Sequence, residues 1–136
     1  MLGTLTQATR AADLNILLDN ISKDQGMVYA AIFKGDEDFK KYKAWSGQKV
    51  KAQSSKMTLT FSNLEPGEYA VRIFHDENGN GNLDLGNYGI PTEGYAFSNE
   101  ATVKYGPPTF EAMKVVVKQG KTPATTKAHM TYYIKK

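Results

Sequence analysis

The chain predicts an all-β fold: a single antiparallel β-sandwich of about seven strands, with one long ordered loop excursion. Three observations predict it. Apolar residues recur at every second position in several short runs. Glycine, proline, asparagine and aspartate separate those runs at turn-like spacings. No stretch carries a convincing helical period.

Residues 1–10 read as a flexible polar lead-in, and 11–136 as one domain of ordinary size. From Ala12, the residues Leu14, Ile16 and Leu18 share one face, while Asp13, Asn15 and Asp19 take the other. That pattern is a half-buried strand. After turn residues at Ser22 to Gly26, the run Met27 to Phe33 is apolar on both faces and predicts a central strand. The two runs suggest a hairpin. Gly35 to Asp38 suits one short helical turn, its acids favouring the helix N-terminus. A weaker strand follows around residues 48–53, where the lysines discourage edge-to-edge association.

Met57, Leu59 and Phe61 alternate with Thr58, Thr60 and Ser62, and Tyr69, Val71 and Ile73 resume the pattern beyond Pro66-Gly67. Proline presets one dihedral there and glycine accepts a positive one, so a second hairpin is expected. Met113, Val115 and Val117 mark another strand, Gly120 to Thr125 a loop, and Met130, Tyr132 and Ile134 a last strand. Between them, residues 85–111 hold many glycines, prolines and aromatic rings, which predict an ordered excursion packed by its own side chains.

Composition bounds the function. The 136 residues include no cysteine, which excludes disulfides, thiolate metal sites and a cysteine nucleophile. The net charge of +3 is spread thinly, and no basic cluster is interleaved with aromatics, so nucleic acid is not an expected partner. No apolar run approaches the roughly 20 residues of a membrane span.

The most specific stretch is His75 to Asp84. Asp76, Asn78 and Asn80 stand at positions one, three and five of a calcium-loop pattern, with Gly81 at the sharp-turn position six. Asn82 supplies a carbonyl at position seven and Asp84 an oxygen at position nine. Alternate oxygens suit calcium, a hard cation that gathers about six to eight of them. Position twelve holds Asn87 instead of glutamate, and no helices flank the loop, so this is no EF-hand. Glu93 is the candidate for the missing acid. The competing reading is a metal-free turn in which these residues bond their own backbone.

Other constellations are weaker. His75, in phase with the inward residues of its strand, is expected to be buried, and His129 to be exposed. Ser98-Asn99 lacks the glycines of a nucleophile elbow. Asp76, Asp84 and Glu93 could be imagined as a hydrolase's carboxylates, but their spacing suits a cation better. No catalytic residue is assigned. Tyr88, Tyr95 and Phe97 are candidates for contacting a ligand such as a sugar, against the alternative of a small satellite core beneath the loop.

The segments Asn63-Leu64-Glu65-Pro66-Gly67-Glu68-Tyr69-Ala70-Val71, His75 to Asp84, Gly89 to Asn99 and Gly106-Pro107-Pro108-Thr109-Phe110 together resemble an uncharacterised family of secreted bacterial proteins. It is a domain-of-unknown-function family, number twenty-one forty-one. The resemblance implies a precursor with a leader absent from this chain, hence a periplasmic or extracellular location. It also implies an immunoglobulin-like or prealbumin-like sandwich, and no assigned activity. The expectation is a non-enzymatic envelope protein with one structural calcium, whose partner is another envelope protein or a glycan. The alternatives are a carbohydrate-binding or adhesion module and, behind it, a hydrolase.

Overall fold

The computed structural model describes residues 11–22, 26–81, 93–103, 106–120 and 122–132. The proposed lead-in at residues 1–10 lies outside them, as does Ile134. Eight strands are present among the described residues: β1 (Ala12–Asp19), β2 (Met27–Lys34), β3 (Ser46–Lys51), β4 (Met57–Leu64), β5 (Gly67–Asp76), β6 (Tyr95–Phe97), β7 (Val115–Val117) and β8 (Ala124–His129). Two short helices, α1 (Asp36–Lys40) and α2 (Phe110–Met113), accompany them. The protein is all-β, as its alternation predicts. The helix expected after Gly35 is present, whereas Met113 ends α2 instead of opening a strand.

One sheet runs β4-β1-β8, and the other runs β3-β2-β5-β6 with β7 also on β5. A single hydrophobic cluster draws on both sheets, from Leu14, Ile16 and Leu18 of β1 to Val28, Ile32, Val71 and Ile73 of β2 and β5. Every inward residue named for the first strand is buried. Strand β2, apolar on both faces, lies inside its sheet as expected, and the lysine-bearing β3 is an edge strand. Tyr69 is wholly buried and donates its hydroxyl to the Glu65 carbonyl at 2.7 Å. Burial holds its phenol above the ordinary value.

Both expected hairpins are absent. β1 and β2 belong to different sheets, and so do β4 and β5. Alternation says which face of a strand is buried, not which strand lies beside it. Both members of each pair bury one face in the same core, so the connection crosses between sheets instead of folding back. The sheets are also not purely antiparallel. β8 starts at Ala124, earlier than the sequence suggests, and pairs with β1 in parallel from Leu14–Ala124 to Asp19–His129. Parallel pairing is possible because β8 enters from β7 in the opposite sheet, which supplies the crossover.

The outer face of the five-stranded sheet carries a second cluster, in which Phe39 of α1 and Phe110 and Met113 of α2 cover Phe33 and Ala70. That covering explains why β2 is apolar on both sides. Thr109 caps α2, its hydroxyl accepting from the Ala112 N–H at 3.2 Å.

Candidate functional site

The glycine–asparagine loop leaves the end of β5, where alternation brings His75 and Asp76 to full burial. The Asp76 carboxylate turns into the loop. Oδ1 accepts from the N–H groups of Gly79 (3.1 Å) and Asn80 (3.2 Å), and Oδ2 from Gly81 (2.7 Å). Three successive backbone donors thus surround one carboxylate. Gly79 and Gly81 reach this winding with φ of 78° and 81°, a region that suits glycine. The Asn78 side-chain oxygen adds a bond to Asn80 N–H at 3.1 Å.

Glu93 joins the loop from across the chain. It is buried, and Oε2 accepts from the N–H groups of Glu77 (2.9 Å) and Asn78 (3.3 Å). The expected fold-back of Glu93 onto the loop is therefore present. It approaches as an acceptor for backbone N–H groups. Asn82, Asp84, Asn87 and Tyr88 lie outside the described residues. Among the described residues, no group of three or more His, Cys, Asp or Glu side chains stands close enough to hold a metal ion.

The floor beneath the loop is built by residues the sequence did not single out. Gly26, at φ 80°, lies against the backbone of Asp76 and Glu77. Tyr132 lies on Gly94, and its hydroxyl is 2.9 Å from His75 Nδ1 and accepts from Ser22 N–H at 3.1 Å. The Gly94 carbonyl in turn accepts from His75 N–H at 2.8 Å. Thr131 and Tyr95 exchange two backbone bonds, tying the chain beyond β8 to β6 in the other sheet. Gly26 closes a legible turn, but its near neighbour is some fifty residues away in sequence. No local signal marks Tyr132 as a support of the loop.

Tyr132→Phe keeps the ring on Gly94 and removes both hydroxyl bonds. A loss of about 1–2 kcal/mol is expected, read as a lower urea midpoint. An unchanged midpoint would show that the hydroxyl does not support the loop's floor.

The remaining candidates are dispersed. His129 is exposed and pairs with Asp19 at 2.7 Å. Tyr95 and Phe97 are half-buried on β6, their ring centroids 5.7 Å apart. Ser98 is fully buried and serves the β5 ladder, with Oγ accepting from Val71 N–H at 3.0 Å and donating to the Met113 carbonyl at 2.6 Å. Among the described residues, no helix is long and apolar enough to cross a membrane.

No curated protein and no solved structure matches the chain. A family described as "Uncharacterized protein conserved in bacteria (DUF2141)" matches residues 16–125, a span that holds the whole loop, Glu93 and both β6 aromatics. With most of its length covered by that match, the chain belongs to this uncharacterised bacterial family.

Proposed function

We propose that this is a non-enzymatic periplasmic or extracellular protein with an immunoglobulin-like or prealbumin-like sandwich, whose glycine–asparagine loop takes one structural calcium ion. The observation that carries the reading is the buried Asp76 carboxylate around which the loop is wound. A carboxylate offers about four acceptor positions. Three are engaged by N–H groups, which leaves capacity for a cation while fixing the direction of approach.

Asn78 and Asn80 supply amide oxygens at alternate positions, and backbone carbonyls, Glu93, Asn82 and Asp84 are the further candidates for the coordination sphere. Few carboxylates converge, so the expected affinity is extracellular-grade, roughly 10⁻⁴–10⁻³ M. Bound calcium would pin the segment from the loop to β6 against the end of the sandwich. The backbone bonds of Asp76 and Glu93 favour this role over acid–base chemistry, because they hold both groups as fixed acceptors at the loop.

A thermal melt with calcium, magnesium or chelator tests the reading. At about thirtyfold over Kd, calcium should add about 2 kcal/mol, and magnesium distinctly less. Asn78→Ala combined with Asn80→Ala alters exposed side chains and should abolish the calcium response. No shift at about 10 mM calcium, far above the expected Kd, would establish the metal-free turn. An undiminished response in the double variant would place the ion elsewhere. The half-buried Tyr95 and Phe97 support a second reading, in which the ordered end of the molecule contacts a glycan or another envelope protein.

A further inference from the structure

Among the described residues, the two helices cover the outer face of the five-stranded sheet only in part. Cross-strand pairing sets out the uncovered part in two rows. Lys49, Tyr29, Phe74 and Tyr95 are neighbours in one row, and Gly47, Ala31, Arg72 and Phe97 in the next. The small residues Ala31 and Gly47 leave a trough beside the rings, an open cavity of about 480 Å³ whose lining includes Tyr29, Ala31, Gly47, Lys49, Arg72 and Phe74. That volume lies within the range of small-molecule sites, and the mix of apolar walls with a few polar groups is their usual build.

The Tyr29 and Phe74 rings stack at 4.9 Å and 6°, so their faces meet each other. Such a pair presents its edges outward, and ring edges carry partial positive charge. Lys49 Nζ stands 5.8 Å from the Tyr29 ring. At the other side, the Arg72 guanidinium carbon lies 4.4 Å from the Phe39 ring centre, 4.5 Å from Tyr42 and 5.3 Å from Phe33. Three rings thus hold the guanidinium by cation–π attraction. Among the described residues, no carboxylate pairs with Arg72 or Lys49, and no acceptor takes a guanidinium N–H. The trough is thus apolar on its floor and cationic at its rim.

We propose that this trough binds a small amphipathic organic carboxylate, with its apolar body on the Ala31–Gly47 floor and its carboxylate on the Arg72 fork. A planar guanidinium held by aromatic rings is pre-organised for bidentate recognition of a carboxylate. Lys49 adds attraction from the edge strand. The assignment is independent of the calcium loop.

Amide-detected NMR titration tests it, with 3-phenylpropionate as probe and the neutral 3-phenylpropionamide as control. The acid should give saturable shifts at Gly47, Lys49 and Ala31, and the amide none. Arg72→Gln should weaken the acid about tenfold or more. Because Arg72 also packs on rings, Gly47→Leu provides a second blockade. A Cβ there meets nothing closer than the Ala30 carbonyl oxygen at 3.4 Å. The larger side chain should fill the trough and abolish binding in a protein of unchanged circular dichroism. The proposal is overturned if the acid gives no saturable shifts, if acid and amide bind alike, or if Gly47→Leu binds normally. Shifts of the same amides by a neutral oligosaccharide such as cellohexaose, without response to the acid, would assign the face to a glycan instead.

Discussion

Gly26→Ala should destabilise the protein by about 3 kcal/mol or more, the larger part through steric overlap. At φ 80° an L side chain is already disfavoured by roughly 1 kcal/mol. A Cβ at this position would also overlap the Asp76 carbonyl oxygen and lie 2.9 Å from Glu77 Cα. Both obstacles are backbone, and that backbone is held by the loop's bonds to Asp76 and Glu93. Gly79→Ala is the internal control. Its φ of 78° is nearly the same, but nothing lies within 4 Å, so only the dihedral cost of roughly 1 kcal/mol is expected. The difference between the two denaturant midpoints measures the close approach. Equal losses would show that the chain entering β2 gives way.

Ser98→Ala is the second large effect, at about 2–4 kcal/mol, or a fall in Tm of roughly 8–15 °C. Strand β5 shares one edge between two short partners: β7 pairs along Gly67–Tyr69 and β6 along Arg72–Phe74. Val71 faces the gap between them. Its N–H finds no strand carbonyl there and donates to Ser98 Oγ, which passes its own proton to the Met113 carbonyl. One hydroxyl completes a ladder that two strands leave open. Alanine would strand a buried donor and a buried acceptor together, since Ser98, Val71 and Met113 are all inaccessible. A loss below about 1 kcal/mol would mean that a water replaces the hydroxyl.

These two positions show where sequence reasoning reaches its end. Gly26 reads as an ordinary turn glycine and Ser98 as a failed nucleophile. Neither has a local pattern, because the groups that make each residue necessary lie in segments distant in sequence. Arg72 shows the same limit. The apolar run on both faces of β2 signals a second covered face, yet the rings around Arg72 come from β2, α1 and the turn after α1. By contrast, Asp76 and Glu93 were both legible as members of one unit. Oxygen-bearing side chains broken by glycine announce a wound loop, and an acid beyond it can fold back.

By itself, the sequence determined the all-β class, the buried face of β1, the interior place of β2, the lysine-rich edge at β3 and the oxygen-rich loop. Each follows from interactions within a few residues: period-two burial, turn dihedrals, and short side chains bonding nearby backbone. Tertiary structure alone decided that neighbouring strands part into opposite sheets and that β8 runs parallel to β1. It also decided that Glu93 grips the loop through two N–H groups. Those outcomes depend on which apolar faces meet across the core, and alternation marks a face without naming its partner.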